Sequence, residues 1–192
     1  EQWALFAEDE WRFADNLALT LGVRYDDHST FGDQVSPRAY VVWNATDNWT
    51  IKGGVSQGFK TPRLDQIAEG ITGFTGQGTR PTIGTPSLQP ETSTSSEFAV
   101  FYDNRDNFRA NVVIFHNAFE DKITSGPGLP NCSFGLSEAD YDAGVTAFPN
   151  CSDYGYWPTV ETYGQSINVD EAVTQGVEAA FRWNIADAWS LN

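Results

Sequence analysis

The side chains able to do chemistry are few and unevenly spread. Cys132 and Cys151 lie in one Gly/Pro/Ser-rich stretch, each inside an Asn-Cys-Ser triplet. With no Cys-x-x-Cys and no Cys/His cluster, a zinc site has little support. A local Cys132–Cys151 disulfide is the better reading, and it implies an oxidising compartment. Closing so short a loop stabilises by about 3 kcal/mol in the chain-entropy model. His28 and His116 stand alone, with no Ser, Cys or Asp arranged as in a triad. No Gly-x-Ser-x-Gly, P-loop or His-Glu-x-x-His motif appears, so nothing supports an enzyme. Glu138, Asp140 and Asp142 suggest calcium, but Ala143 precedes Gly144 and the order does not fit an EF-hand loop. A hydrated acidic face is expected there, and no metal. Positive charge gathers elsewhere. Residues 60–90 hold Lys60, Arg63 and Arg80 against Asp65 and Glu69, a net of +1. Residues 120–171 set Lys122 alone against nine acids, a net of −8.

The 192 residues carry a formal charge of −15 with a pI near 4.2, which argues against nucleic acid or an anionic membrane surface as partner. Apolar residues at 40% of the chain, with aromatics at 14%, are too many for a disordered chain. No run approaches the roughly 18 apolar residues of a membrane helix. Methionine is absent and Glu1-Gln2-Trp3 opens directly in patterned sequence, with no signal peptide, so a piece processed or cut from a longer chain is expected.

What must position these groups is set by a period of two. From Leu17 to Asp26 every odd position is apolar or aromatic and every even one small or polar. Val177, Ala179, Phe181, Trp183 and Ile185 repeat the pattern, as do Trp49, Ile51, Gly53 and Val55. Successive strand side chains point to opposite faces, so each segment has one greasy and one wet side. The spacing predicts strands at about 2–13, 17–28, 37–45, 49–59, 92–102, 108–120 and 172–185, with a last one starting at 189. Short polar turns fall at Ala14-Asp15-Asn16, Thr46-Asp47-Asn48, Asp103 to Asn107 and Ala186-Asp187. Longer links fall near 29–35, 60–91 and 122–170. This is an antiparallel meander with unlike rims. Trp11, Trp43, Trp49, Trp183 and Trp189 all sit within three residues of a short turn, where amphipathic rings suit a membrane–water interface. A soluble β-sandwich that recognises carbohydrate, or an adhesin, is the alternative. It requires Leu19, Leu21, Phe181 and Trp183 to be buried against a second sheet. A diffusion porin or outer-membrane enzyme is the third reading. Its constriction loop or its nucleophile and base are not found.

Residues 53–61, Gly-Gly-Val-Ser-Gln-Gly-Phe-Lys-Thr, followed by Pro62-Arg63-Leu64, resemble a signature of TonB-dependent outer-membrane receptors. Thr85-Pro86-Ser87-Leu88-Gln89-Pro90-Glu91-Thr92-Ser93 is similar to that family's Asn-Pro-x-Leu-x-Pro-Glu-x-Ser motif, with Thr85 in place of Asn. Gly176-Val177-Glu178 matches its recurrent Gly-x-Glu strand. The loop from Ile71 to Gly78 looks most like the catecholate-siderophore and colicin receptors. The resemblance implies an all-β fold in which residues 1–192 supply about eight strands of a 22-stranded transmembrane barrel, without the N-terminal plug domain. A partial sheet leaves open edges, so spanning a membrane needs the remaining strands.

The resemblance also implies the cell outer membrane of a Gram-negative bacterium and a transported ligand, a ferric siderophore of catecholate type, with no covalently bound cofactor. Implied partners are outer-membrane lipid, the TonB energy-coupling complex acting through the plug, and colicins or phage. Ferric catecholates are bulky, aromatic and anionic, so a site for them needs cations for charge and rings for stacking. Arg80, Arg63, Lys60, Phe74 and Gln77 of the first long loop are the expected ligand residues. Arg24, Arg38 and Arg182 are expected to face the lumen.

Overall fold

The computed structural model describes residues 1–186 and 189–192. Its strands are β1 (Gln2–Ala14), β2 (Leu17–His28), β3 (Gly32–Asn44), β4 (Trp49–Lys60), β5 (Ile71–Thr75), β6 (Arg80–Ile83), β7 (Glu91–Asp103), β8 (Phe108–Ser125), β9 (Leu129–Pro130), β10 (Thr162–Ala186) and β11 (Trp189–Leu191). Two short helices, α1 (Leu64–Ile67) and α2 (Glu138–Asp142), complete the described elements. The residues divide into two units. Glu1–Lys60, Thr92–Glu120 and Glu171–Asn192 form the first; Thr61–Glu91 and Asp121–Asp170 form the second.

The first unit is a single-layer sheet in the order β1-β2-β3-β4-β7-β8-β10, with β11 against β10. Neighbours run antiparallel in long unbroken registers, such as Trp3↔Asp27 through Arg12↔Ala18 and Thr92↔Glu120 through Asp103↔Arg109. Almost nothing apolar is buried in it; Ala99 is the exception. Such a layer is stable only where its greasy face meets hydrocarbon, because every interior backbone group is already paired along the sheet. The sandwich expectation is overturned by this face. Leu21, Phe181 and Trp183 are 36, 45 and 44% exposed and Leu19 is only half-buried, with no second sheet packed on this unit's sheet among its described residues. Trp11, Trp43, Trp49, Trp183 and Trp189 are all exposed near the short turns, and the Trp49 ring stacks obliquely on Tyr102 with centroids 4.8 Å apart.

The turns are built by side chains that replace backbone partners. Asn104 Oδ1 accepts the N–H groups of Asp106, Asn107 and Phe108 at 2.9–3.0 Å, closing the β7–β8 turn. Asn16 Nδ2 donates to the Asn44 carbonyl at 3.1 Å. Of the turn expected at Ala186-Asp187, Asp187 lies outside the described residues.

Two expectations about connections are corrected. The link placed near residues 29–35 is only 29–31, because β3 begins at Gly32 rather than 37. Pro37 is tolerated inside β3: the β3–β4 ladder begins at Arg38↔Ser56, so on that side no donor is needed at Pro37. The long links are also not bare loops. The first holds α1, β5 and β6, the second β9, α2 and the start of β10; of the eleven strands among the described residues, eight (β1–β4, β7, β8, β10 and β11) form the expected meander and β5, β6 and β9 are short additions within the links.

The second unit has a core of its own. Ile83, Val160 and Tyr163 are buried together, with Ile71, Leu129, Tyr154 and Trp157 packed around them. β6 pairs in parallel with the start of β10 (Gly164↔Thr82) and antiparallel with β5, while β9 pairs antiparallel with β10 (Thr162↔Pro130).

Candidate functional site

A cavity of about 610 Å³ lies in the second unit, among β5, β6, α1, the end of β8 and the start of β10. Arg63, Phe74 and Arg80 line it, together with hydroxyl and amide groups such as Thr72 and Gln165. Three of the five expected ligand residues are thus brought to one place. Lys60 ends β4 in the first unit and is not among the lining residues. Gln77 sits at the tip of the β5–β6 turn with φ of 60°, between Gly76 and Gly78, and is also outside the lining.

Local structure explains how each side chain is held. Pro62 cannot donate to a ladder, so β4 stops at Lys60 and the chain turns into α1. Arg63 caps that helix, its N–H donating to Gln66 Oε1 at 2.9 Å. Its guanidinium grips Asp65 with both prongs, Nε to Oδ1 at 3.1 Å and Nη2 to Oδ2 at 2.9 Å. Part of its charge is therefore already answered.

Arg80 differs. It opens β6, and its Nη2 donates to the Thr162 hydroxyl at 3.2 Å. Among the described residues it is paired with no carboxylate. Arg80 is consequently the cavity's main attractor for an anion. Phe74, half exposed, leans on Trp157 with ring centroids 5.9 Å apart, so a ring supported from behind presents its surface beside the cation.

Trp157 is itself anchored. The wholly buried Asn131 donates from Nδ2 to the carbonyls of Trp157 (2.8 Å) and Val160 (2.7 Å). Its Oδ1 accepts from the Ser133 N–H and hydroxyl and from the Tyr163 hydroxyl, the last at 2.7 Å. Burial, foremost, pushes the Tyr163 phenol up to about 12. Next to this hub Cys132 and Cys151 are bridged, as expected, with Cα atoms 5.0 Å apart. The acidic stretch forms α2, capped by Ser137 through Asp140, and Tyr141 donates to Asp153 at 2.8 Å. Among the described residues no group of three or more His, Cys, Asp or Glu side chains could hold a metal.

The family model for the TonB dependent receptor-like β-barrel matches residues 1–192. The chain belongs to this family. It is 38% identical over 191 residues to the iron-regulated outer membrane virulence protein of Vibrio cholerae O395, covering 100% of this chain and 26% of that one. To the ferric enterobactin receptor of Pseudomonas aeruginosa it is 30% identical over 200 residues, covering 99% and 24%. The fold superposes on the crystal structure of the siderophore receptor PirA from Pseudomonas aeruginosa with a TM-score of 0.71 at 24% identity, over 98% of this chain and 32% of that one. It superposes on the ferric enterobactin receptor PfeA in complex with BCV-L6 with a TM-score of 0.67 at 27% identity, over 98% and 25%. The chain spans about a quarter of the length of the curated relatives it matches. As a segment of a TonB-dependent receptor barrel it is an outer-membrane chain, and its relatives are receptors rather than enzymes.

Two residues that support the lining carry no sequence signal that places them there: Trp157 behind Phe74 and Thr162 against Arg80. Thr162 lies 82 positions from Arg80, and no local pattern joins them.

Proposed function

We propose that this chain is the part of a TonB-dependent receptor that presents an exterior binding surface for a ferric siderophore of catecholate type. The observation that carries the reading is the meeting of Arg80, Arg63 and the Trp157-backed Phe74 ring on one cavity. Its volume of about 610 Å³ falls within the range of small-ligand sites. An anionic, aromatic iron chelate needs both of the features found there, a cation with no carboxylate partner among the described residues and an open ring face. Relatives named as ferric enterobactin receptors from Pseudomonas aeruginosa and Escherichia coli support the choice of catecholate. Uptake in the complete receptor would draw on the plug and on the TonB energy-coupling complex.

The test uses the complete receptor as the sole catecholate route in an iron-starved host. Ferric enterobactin uptake should occur with the wild type, and Arg80→Ala should weaken binding about tenfold, the loss of one charge-assisted contact. No uptake by the wild type overturns the catecholate reading. Undiminished affinity in Arg80→Ala removes the cavity from the binding path.

A further inference from the structure

Arg80 rests against positions that have no side chain. A Cβ on Gly128 would stand 3.0 Å from Arg80 Nη2 and 2.6 Å from Thr162 Oγ1. One on Gly164 would stand 3.2 Å from the Thr82 methyl and 4.0 Å from Arg80 Nε. The neighbouring β-register explains why the guanidinium arrives there. β6 and β10 pair in parallel with Gly164 beside Thr82, so two residues earlier on each strand Thr162 comes level with Arg80. Thr162 is fixed from its other side by β9, opposite Pro130. An arginine normally samples many rotamers, and each one frozen on binding costs affinity. Here one N–H is taken by Thr162, and Arg80 lines the cavity.

We propose that Thr162 is a positioning residue for ligand capture: with Gly128 and Gly164 as side-chain-free floor, it holds the Arg80 guanidinium so that its open edge meets a pair of anionic oxygens. This rests on the reading of the cavity as a siderophore site. A planar fork fixed in this way favours paired oxygens, as in a catecholate or carboxylate, over a single point of charge. Thr162 touches no ligand itself; it acts through Arg80.

The experiment measures ferric enterobactin binding by tryptophan-fluorescence quenching of the complete receptor. Thr162→Val should weaken binding about three- to tenfold, as expected for one lost hydrogen bond. Thr162→Ser should restore wild-type affinity. Gly128→Ala, which displaces both Thr162 and Arg80, should weaken binding as Thr162→Val does. In an Arg80→Ala background neither change should have any further effect. If Thr162→Val still weakens binding without Arg80, or Thr162→Ser fails to restore affinity, the role is structural and the proposal falls. It falls equally if Arg80→Ala loses affinity and Thr162→Val does not. Wild-type affinity in Arg80→Ala instead overturns the ligand site itself, which separates the two failures.

Discussion

Glu8 of β1 reaches across the whole width of β2 to Arg38 of β3, carboxylate to guanidinium at 3.6 Å. The residue between them is Gly22, opposite Glu8 on one side and Arg38 on the other. The Arg38 guanidinium lies 5.8 Å from the centroid of the Tyr40 ring, and that ring covers Gly54 of β4. Glycines on the wet face are therefore notches over which longer neighbours cross.

The two notches should respond differently to a methyl group. At Gly22 the nearest atom is Glu8 Oε2, 3.3 Å away at the end of a flexible, half-exposed side chain. Gly22→Ala should cost less than about 1 kcal/mol, the scale of a solvent-screened ion pair. At Gly54 a Cβ would press on the Tyr40 ring and stand 2.8 Å from the Ala39 carbonyl, which cannot step aside. Gly54→Ala should cost about 1–3 kcal/mol. Urea unfolding of the complete receptor in lipid vesicles measures both, and equal costs would refute the distinction.

Lipid- and lumen-facing positions alternate along β8. Ile114 is exposed on the greasy face with Phe98 opposite, whereas Asn111 lies opposite Phe101 on the wet one. Ile114→Lys should destabilise the barrel by about 2–4 kcal/mol, the depth-dependent penalty for a cation facing lipid. Asn111→Lys should be close to neutral. Folding yield into vesicles reads the difference.

Asn131 satisfies groups from three stretches of the second unit at once. Asn131→Leu leaves the Tyr163 and Ser133 hydroxyls and the Trp157 and Val160 carbonyls without this partner. The loss should be about 2 kcal/mol, since the Tyr163 hydroxyl and the Val160 carbonyl each lose a bond worth on the order of 1 or more, while Ser133 keeps Gly155 and Trp157 as partners and the Trp157 carbonyl keeps the Val160 N–H. Amide hydrogen exchange should accelerate across residues 129–163 and stay slow in β1 to β4. Uniform acceleration would refute the idea of a local hub.

Alkali should loosen that same unit through Tyr163. Its folded value is raised to about 12 from the ordinary 10, chiefly by burial. Below pH 10 the phenol is neutral in both states and its contribution is complete. Between pH 10 and about 12 the unfolded phenol ionises while the buried one keeps its proton. Stability then falls by about 1.4 kcal/mol per pH unit. Tyrosinate absorbance followed against pH, with Tyr163→Phe as control, should show one late-titrating phenol that the variant lacks.

How far the chain could be read in advance depends on which force ordered each part. β1, β2, β4 and the later half of β10 announce themselves because lipid on one side and water on the other impose strict alternation, as from Leu17 to Asp26. The early start of β3 hid behind Pro37, a strand breaker only where a donor is required. The start of β10 hid because Gly164, Gln165 and Ser166 show no alternation; its partners are β6 and β9, not lipid. Residue type singles out Arg63, Phe74, Arg80, Lys60 and Gln77 alike, yet only the first three line the cavity, because charge and hydrogen-bonding capacity carry no information about which way a loop folds. Trp157 and Thr162 enter only through contacts between segments distant in sequence.

The bridge between Cys132 and Cys151 closes the acidic tip at its base. Surface loops of bacteria are under pressure to change their appearance to antibodies and phage. Residues such as Glu138, Asp142 and Val145, exposed beyond the clasp, can be exchanged with little mechanical consequence for the Phe74–Trp157 wall. The clasp thus lets an exposed face drift antigenically while the cavity lined by Phe74 and Arg80 keeps its shape.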